Sequence, residues 1–263
     1  TEDREMAAWF LLDLSPSVDF GSGEQRKSQV LLGFVAVLAR LISRHGNRVG
    51  AVLYGSRGQP VVDAVLPARG GRTQVLRLMQ MVLQPPKKDA DVKDGVTQLS
   101  DLLKAAVHTV RQRATVFVVS DFISEPGWEK PLGELARRHD VVAVRLLDPL
   151  ELNLPDLGLI PIRDAETGEQ LMVDTHDAGF RQRFARIAAQ REAQLRESLA
   201  RAGVDTLELS TDDDLAEAVV RFIDLRKRRL RVGKHAQAGR SMPTQMPSRD
   251  RGSFGIPREG TRP

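Results

Sequence analysis

Residues 7–17 read AAWFLLDLSPS, an apolar run that is followed at once by one carboxylate and two hydroxyls. An apolar run without interruption is typical of a strand that a sheet buries on both faces. The side chains of Asp13, Ser15 and Ser17 then leave the predicted strand together, at its carboxyl end. Ligands of open α/β sheets bind at this end of the strands, so the stretch predicts both a buried strand and a site.

The alternation of short apolar runs with amphipathic stretches continues to about residue 230. It predicts an α/β fold with a doubly wound, mostly parallel sheet flanked by helices. Between residues 158 and 175, two short apolar runs flank a turn, which predicts a hairpin excursion. The predicted strands are Ala7–Asp13, Arg48–Tyr54, Pro60–Leu66, Thr115–Ser120, Val141–Leu146 and Val204–Leu209. The predicted helices are Arg26–Arg44, Thr73–Leu83, Thr97–Gln112, Glu129–Arg138, Ala178–Ala202 and Asp213–Arg228.

The composition excludes several classes of site. The 263 residues contain no cysteine, which rules out disulfides, thiolate nucleophiles and cysteine-bound zinc and favours a reducing compartment. The most apolar stretch, residues 30–39, is well short of the roughly 20 residues that span a bilayer. We therefore expect a cytoplasmic chain, which resembles a fragment because it begins at Thr1 rather than at Met.

Positive charge is concentrated near the end of the chain. Residues 226–263 hold 11 of the 39 Lys and Arg residues and two of the 35 acidic residues, so the preceding part is mildly acidic. An acidic body is not typical of a fold that binds nucleic acid along its surface, and no nucleic-acid partner is expected. We predict one domain over residues 1–230 and a disordered basic tail over residues 231–263, where Gly, Pro, Ser and Arg predominate.

A second predicted strand ends in a matching carboxylate. The run TVFVVS at residues 115–120 is followed by Asp121, and Thr97 opens a predicted helix earlier in the chain. If the first and fourth strands are neighbours, Asp13 and Asp121 face one crevice. The candidate metal ligands are then all oxygens, and hard oxygen ligands suit Mg²⁺, Mn²⁺ or Ca²⁺ rather than zinc or copper. They are Asp13, Ser15, Ser17, Thr97 and Asp121.

This pattern resembles the metal-ion-dependent adhesion site of von Willebrand factor A domains, and the resemblance covers roughly residues 7–222. It implies that Ser15, Ser17 and Thr97 contact the cation through their hydroxyls. Asp13 and Asp121 would contact it directly or through water, and a partner's Glu or Asp would fill an open position. The usual Gly-Thr-Asp of this site is replaced here by the sequence GVTQ at residues 95–98, so the threonine is displaced or the acidic residue is lost.

A closer likeness is to a bacterial family known as domain of unknown function fifty-eight, whose members resemble von Willebrand factor A domains. The likeness rests on LLDLSPSVDFG (11–21), GNRVG (46–50), SDF (120–122), RRHDVVAVR (137–145) and LELSTD (207–212). It implies a protein-binding module rather than an enzyme, with a MoxR-like AAA+ ATPase as the partner. It also implies upstream membrane helices, which would anchor the full-length protein at the inner face of the membrane.

Other interpretations of the same residues stay open. Asp and Ser also cluster at strand-to-helix turns as caps, and Thr97 could be a plain helix N-cap. A metal-dependent phosphohydrolase would need a general base, but no His or Lys lies within either motif. The basic tail could make the chain an adaptor for nucleic acid or an anionic surface. A cation-dependent protein-binding module is the leading hypothesis.

Overall fold

The computed structural model describes residues 6–55, 61–84, 97–163, 170–224 and 226. The strands in these ranges are β1 (Ala7–Asp13), β2 (Arg48–Tyr54), β3 (Val62–Arg69), β4 (Ala114–Ser120), β5 (Asp140–Leu147), β6 (Leu159–Arg163), β7 (Gln170–Asp174) and β8 (Asp205–Ser210). The α-helices are α1 (Lys27–Arg44), α2 (Arg72–Leu83), α3 (Leu99–Thr109), α4 (Glu129–Arg138) and α5 (Ala178–Ala202). Two short 3-10 helices cover Pro16–Asp19 and Pro149–Glu151, and residues 215–220 are also helical.

Six strands form one sheet in the order β3-β2-β1-β4-β5-β8. The pairs β1–β2, β1–β4, β4–β5 and β5–β8 are parallel, and β3 is antiparallel to β2 at the edge. The predicted doubly wound α/β fold is confirmed. The predicted third strand was misplaced, since it runs over Val62–Arg69 rather than Pro60–Leu66. Its half-exposed edge position leaves a weak hydrophobic signal in the sequence.

The sheet buries both of its faces against helices. On one face, Trp9 and Leu11 of β1 join a cluster that includes residues of α3, α4 and α5. On the other face, Phe10 stacks on Phe117 of β4 with ring centroids 5.3 Å apart, and Phe34 of α1 packs edge-on against Phe117 at 6.1 Å. Full burial of each such side chain contributes about 1.5–3 kcal/mol. The polar residues at the strand ends are therefore held on a rigid framework.

The predicted hairpin excursion is present. β6 and β7 pair antiparallel, with Leu159 opposite Asp174, and form a separate two-stranded sheet. α5 follows and ends at Ala202, and its C-cap Gly203 has a φ of 69°, the left-handed conformation that closes many helices.

Contacts divide the chain into two units, Thr1–Val220 and Arg221–Pro263. The first unit contains the six-stranded sheet, the hairpin and every candidate site residue. In the second unit, residues 221–224 are helical. The predicted limit at residue 230 and the predicted disordered tail lie outside the described residues. Across the described part of the chain, no helix combines the length and the apolar character needed to cross a membrane.

Candidate functional site

β1 and β4 are parallel neighbours, with Leu12 opposite Val119 near their carboxyl ends. β1 connects to β2 and β3 on one side of the sheet, whereas β4 begins the other half. The order of the strands reverses between them, and this is where a doubly wound sheet opens a crevice for ligands. Asp13 ends β1, and Asp121 follows directly after β4. The expectation that the two strands are neighbours is confirmed.

The Asp13 carboxylate is fully buried. Its Oδ1 accepts a hydrogen bond from the Ser15 amide at 3.0 Å, and its Oδ2 accepts one from the Ser120 hydroxyl at 2.6 Å. Ser120 is the last residue of β4, so this second bond joins the ends of the two central strands. Neither partner carries a positive charge, and among the residues that the structure describes Asp13 has no direct counter-ion.

The loop after β1 is held against the end of β2. The Leu14 amide donates to the Tyr54 carbonyl at 2.8 Å. Gly55 has a φ of 74°, and a Cβ there would lie 3.0 Å from the Ser15 nitrogen. Only glycine fits both this conformation and this space. The packing places the hydroxyls of Ser15 and Ser17 3.2 Å apart.

The turn after β4 holds Asp121 through its backbone. The Ile123 amide donates to Asp121 Oδ1 at 3.0 Å, and the Phe122 amide donates to Ser120 Oγ at 2.9 Å. Phe122 has a φ of 59° although it is not glycine, which costs about 1–2 kcal/mol. Its ring packs edge-on against Trp128 at 5.4 Å. Strained backbone of this kind is concentrated at functional sites in proteins.

Thr97 lies beside the same turn. Its side chain is buried, and its carbonyl accepts hydrogen bonds from the Glu125 amide at 3.1 Å and the Ser124 hydroxyl at 2.9 Å. α3 begins at Leu99 with Gln98 as its N-cap. The predicted helix start at Thr97, and the alternative that Thr97 is the N-cap, are therefore wrong. The structure brings Thr97 next to the loop that carries Asp121.

A buried lysine at this edge was not among the predicted site residues. Lys27 is the first residue of α1 and is fully buried. Its ammonium donates to Asp121 Oδ2 at 2.8 Å and to Glu151 Oε1 at 2.6 Å. Lys27 occupies the same stripe of α1 as Val30, Leu31 and Phe34, and a lone lysine at a core-facing position was the signal that could have found it.

A third buried carboxylate, Asp148, follows directly after β5 and was also absent from the predicted site. It accepts hydrogen bonds from the Ser22 amide at 2.9 Å, the Ser22 hydroxyl at 2.6 Å, the Leu150 amide at 3.0 Å and the Thr211 hydroxyl at 2.9 Å. The Asp148 amide donates in turn to Glu151 at 3.2 Å. Asp148 therefore joins the loops that follow β1, β5 and β8, and it fixes the position of Glu151.

The pKa values reflect this arrangement. Burial, and after it the charge of Asp121, raises the pKa of Asp13 to about 6, although the hydrogen bonds from Ser120 and Ser15 oppose the shift. Burial lowers the pKa of Lys27, but Asp121 and Glu151 outweigh burial and raise it above its ordinary value. Burial also raises the pKa of Glu151, against the opposing effect of Lys27. Asp121 and Glu151 thus share the Lys27 ammonium, and within the described residues Asp13 is not paired with it.

The donor set suits a hard cation. Two carboxylates and three hydroxyls from three segments lie buried at this edge, and oxygen ligands of this kind bind Mg²⁺, Mn²⁺ or Ca²⁺. The raised pKa of Asp13 indicates that additional positive charge would be favourable there. In the part of the chain that the structure describes, no three His, Cys, Asp or Glu side chains cluster as a metal site. The hydroxyls are therefore essential to this candidate.

Comparison with known proteins gives a family and no activity. The family described as "Protein of unknown function DUF58" matches residues 1–194. An uncharacterized protein of Mycobacterium tuberculosis is 32% identical over 226 residues, which cover 86% of this chain and 69% of that protein. An uncharacterized protein of Mycobacterium avium is 34% identical over 169 residues, which cover 64% of this chain and 98% of that protein.

Solved structures share the fold. A conserved hypothetical protein, BatB from Bacteroides thetaiotaomicron, superposes with a TM-score of 0.54 at 13% identity, over 84% of this chain and 98% of that one. The pilus adhesin SpaC from Lactobacillus rhamnosus GG, in its open conformation, gives a TM-score of 0.51 at 9% identity, over 87% of this chain and 30% of the adhesin. At these identities the likeness concerns the fold alone.

Proposed function

The chain belongs to the DUF58 family of proteins of unknown function. From the chemistry of its site, we propose that it is a divalent-cation-dependent protein-binding module. Binding, rather than catalysis, is its activity. The cation is Mg²⁺, or Mn²⁺ or Ca²⁺ in its place. The observation that carries the proposal is the buried, incompletely compensated carboxylate pair of Asp13 and Asp121 beside three hydroxyls.

Each residue has a defined role in this proposal. Asp13 and Asp121 supply the negative charge, and Ser15, Ser17 and Thr97 supply neutral oxygens. When bound, the cation provides a centre of positive charge that attracts an acidic side chain of a partner. The hydrogen bonds that fix Asp13 from Ser15 and Ser120 keep its carboxylate in place before the cation arrives. Such preorganisation lowers the cost of ordering the ligands on binding.

The candidate partner is a MoxR-like AAA+ ATPase or a client of that ATPase. This choice rests on the family resemblance drawn from the sequence, in which such ATPases accompany related chains. A cytoplasmic location follows from the same choice of partner. The partner's contribution is an exposed Glu or Asp, because a carboxylate is the anionic oxygen ligand that a hard cation accepts from a protein surface.

Capture of the ATPase on the immobilised chain tests the proposal. We expect recovery in Mg²⁺ from wild-type protein, and loss of recovery with a chelator or with Asp13→Ala. Asp101→Ala removes a half-exposed carboxylate on α3 that pairs with Lys104, so it is the matched control and should behave as wild type. Equal recovery from wild type and Asp13→Ala, with or without chelator, would contradict a cation-mediated contact.

A further inference from the structure

Lys27 binds a carboxylate oxygen of Asp121, one of the ligands of the proposed cation site. Its ammonium lies 2.8 Å from Asp121 Oδ2, and the other oxygen of Asp121 already accepts the Ile123 amide at 3.0 Å. Both oxygens of this carboxylate are thus engaged. A cation approaching Asp121 must compete with the ammonium for Oδ2, or share that oxygen with another positive charge in a buried site. Like charges a few ångströms apart repel strongly where water is excluded.

Glu151 gives the lysine a second acceptor. The Lys27 ammonium lies 2.6 Å from Glu151 Oε1, and the side chain of Glu151 is only about one-fifth exposed, at 22%. Glu151 is itself positioned by the Asp148 amide. The ring of Phe20 lies 5.8 Å from the ammonium and adds a weaker attraction. Lys27 could therefore release Asp121 and still keep a hydrogen-bonded counter-ion.

We propose that Lys27 is an internal competitor that sets the affinity and selectivity of this edge for divalent cations. The inference rests on the proposed function and concerns the same site. In the cation-free protein, Lys27 neutralises Asp121. When a divalent cation binds, Glu151 retains the ammonium and Asp121 turns to the cation. A monovalent cation brings no more charge than the ammonium it would displace, so the arrangement favours divalent ions.

Titration with Mn²⁺, followed by electron paramagnetic resonance of the free ion, tests this competition. We expect Lys27→Met to bind Mn²⁺ about tenfold or more tightly than wild type, because the substitution removes the competing charge and keeps an unbranched side chain. Lys104→Met is the matched control. It removes the same charge from a lysine that is 60% exposed on α3, and the affinity should not change.

A second variant acts in the opposite direction and preserves the lysine. In Glu151→Gln the ammonium loses its anionic alternative and stays on Asp121, so Mn²⁺ should bind several-fold more weakly than in wild type. Because Glu151→Gln keeps the Lys27–Asp121 pair, it still tests competition by Lys27 if Lys27→Met fails to fold. The double variant Lys27→Met/Asp13→Ala should lose the tight Mn²⁺ binding of Lys27→Met. That loss would show that Mn²⁺ binds at the proposed site.

The outcomes separate this inference from the proposed function. Equal Mn²⁺ affinity in wild type, Lys27→Met and Glu151→Gln would overturn the role of Lys27 and leave the cation site standing. Binding in Lys27→Met without binding in wild type would support the competition and contradict a cation-dependent function of the native chain. Absence of binding in every variant would overturn both proposals.

Discussion

Asp13 and Asp148 are both fully buried carboxylates at the carboxyl edge of the same sheet, but their surroundings differ. Asp148 accepts four hydrogen bonds from Ser22, Leu150 and Thr211, and these bonds outweigh burial and lower its pKa. Within the described residues, Asp13 accepts hydrogen bonds only from Ser120 and Ser15, and burial together with the nearby charge of Asp121 raises its pKa to about 6. Within the described part of the chain, hydrogen bonds satisfy Asp148, whereas Asp13 lies near another carboxylate without a positively charged partner.

We propose that this difference separates a structural carboxylate, Asp148, from a functional one, Asp13. A buried anion with a complete set of donors stabilises the fold, because its donors would otherwise be orphaned. A buried anion beside another anion destabilises the fold unless a ligand compensates it, and such groups mark functional sites. On this basis Asp148 holds the loops together, whereas Asp13 is the residue that we propose as a cation ligand. The following substitutions should therefore affect stability in opposite directions.

The largest effect is expected at Asp148. Asp148→Ala leaves the amide donors of Ser22 and Leu150 without their acceptor and separates the loops after β1, β5 and β8. The free energy of unfolding at pH 7 should fall by about 3 kcal/mol or more. Urea denaturation measures the change, and a loss below about 1 kcal/mol would show that Asp148 does not hold the edge together.

Asp13→Asn should have the opposite effect on stability when no divalent cation is present. The raised pKa means that the folded state prefers the protonated carboxyl, so the wild type loses stability as pH rises from about 4 to about 6. The shift from 3.8 to about 6 corresponds to about 3 kcal/mol at most. The asparagine variant avoids this loss and should be more stable than wild type at pH 7, by up to that amount.

The pH dependence is the control for this prediction. Below about pH 4 both forms carry a neutral side chain at position 13, and the two stabilities should converge. Asp101→Asn, which changes a half-exposed carboxylate, should not show this pH-dependent gain in stability. Urea denaturation in chelator across this pH range measures it. A variant less stable than wild type at pH 7 would mean that Asp13 is satisfied without a ligand.

The serines of the loop after β1 give a smaller, paired test. Ser22→Ala removes one donor to Asp148 and should lower the free energy of unfolding by about 1–2 kcal/mol, without affecting cation binding. Ser17→Ala removes a hydroxyl that contacts the Ser15 hydroxyl at 3.2 Å, and it should change stability by about 0.5 kcal/mol or less. Its expected effect is on Mg²⁺ affinity, about tenfold weaker. Denaturation and titration calorimetry on both variants distinguish the two roles.

The sequence was sufficient to predict the sheet and the positions of Asp13 and Asp121. Buried parallel strands leave long apolar runs, and a carboxylate placed just after such a run must lie at the carboxyl edge. The limits of α3 were less accurate, because Thr97 and Gln98 resemble a helix start although Leu99 begins the helix. Asp148 follows the apolar run of β5 in the same way as Asp121 follows β4. The predicted strand ended at Leu146, one residue before the observed end at Leu147, so Asp148 was not recognised as a residue at the strand end.

Lys27 and Glu151 could not be assigned to the site from spacing. Lys27 is 94 positions from Asp121 and 124 from Glu151, and the pairing depends on how α1 packs across the sheet. Local patterns carry no information about such long-range contacts. The sequence did carry a hint, since a lysine on a core-facing stripe needs a buried counter-ion. The position of Lys27 thus predicts a buried ion pair, but it does not predict which carboxylate is the counter-ion.

The most direct test of the cation site is calorimetric titration of Mg²⁺ and Mn²⁺ into wild-type chain and into the double variant Asp13→Ala/Asp121→Ala. The account predicts saturable binding at a single site in the wild type and none in the double variant. Binding that is equal in both proteins would place the cation elsewhere. Absence of binding in the wild type would contradict the central claim that this edge of the sheet holds a divalent cation.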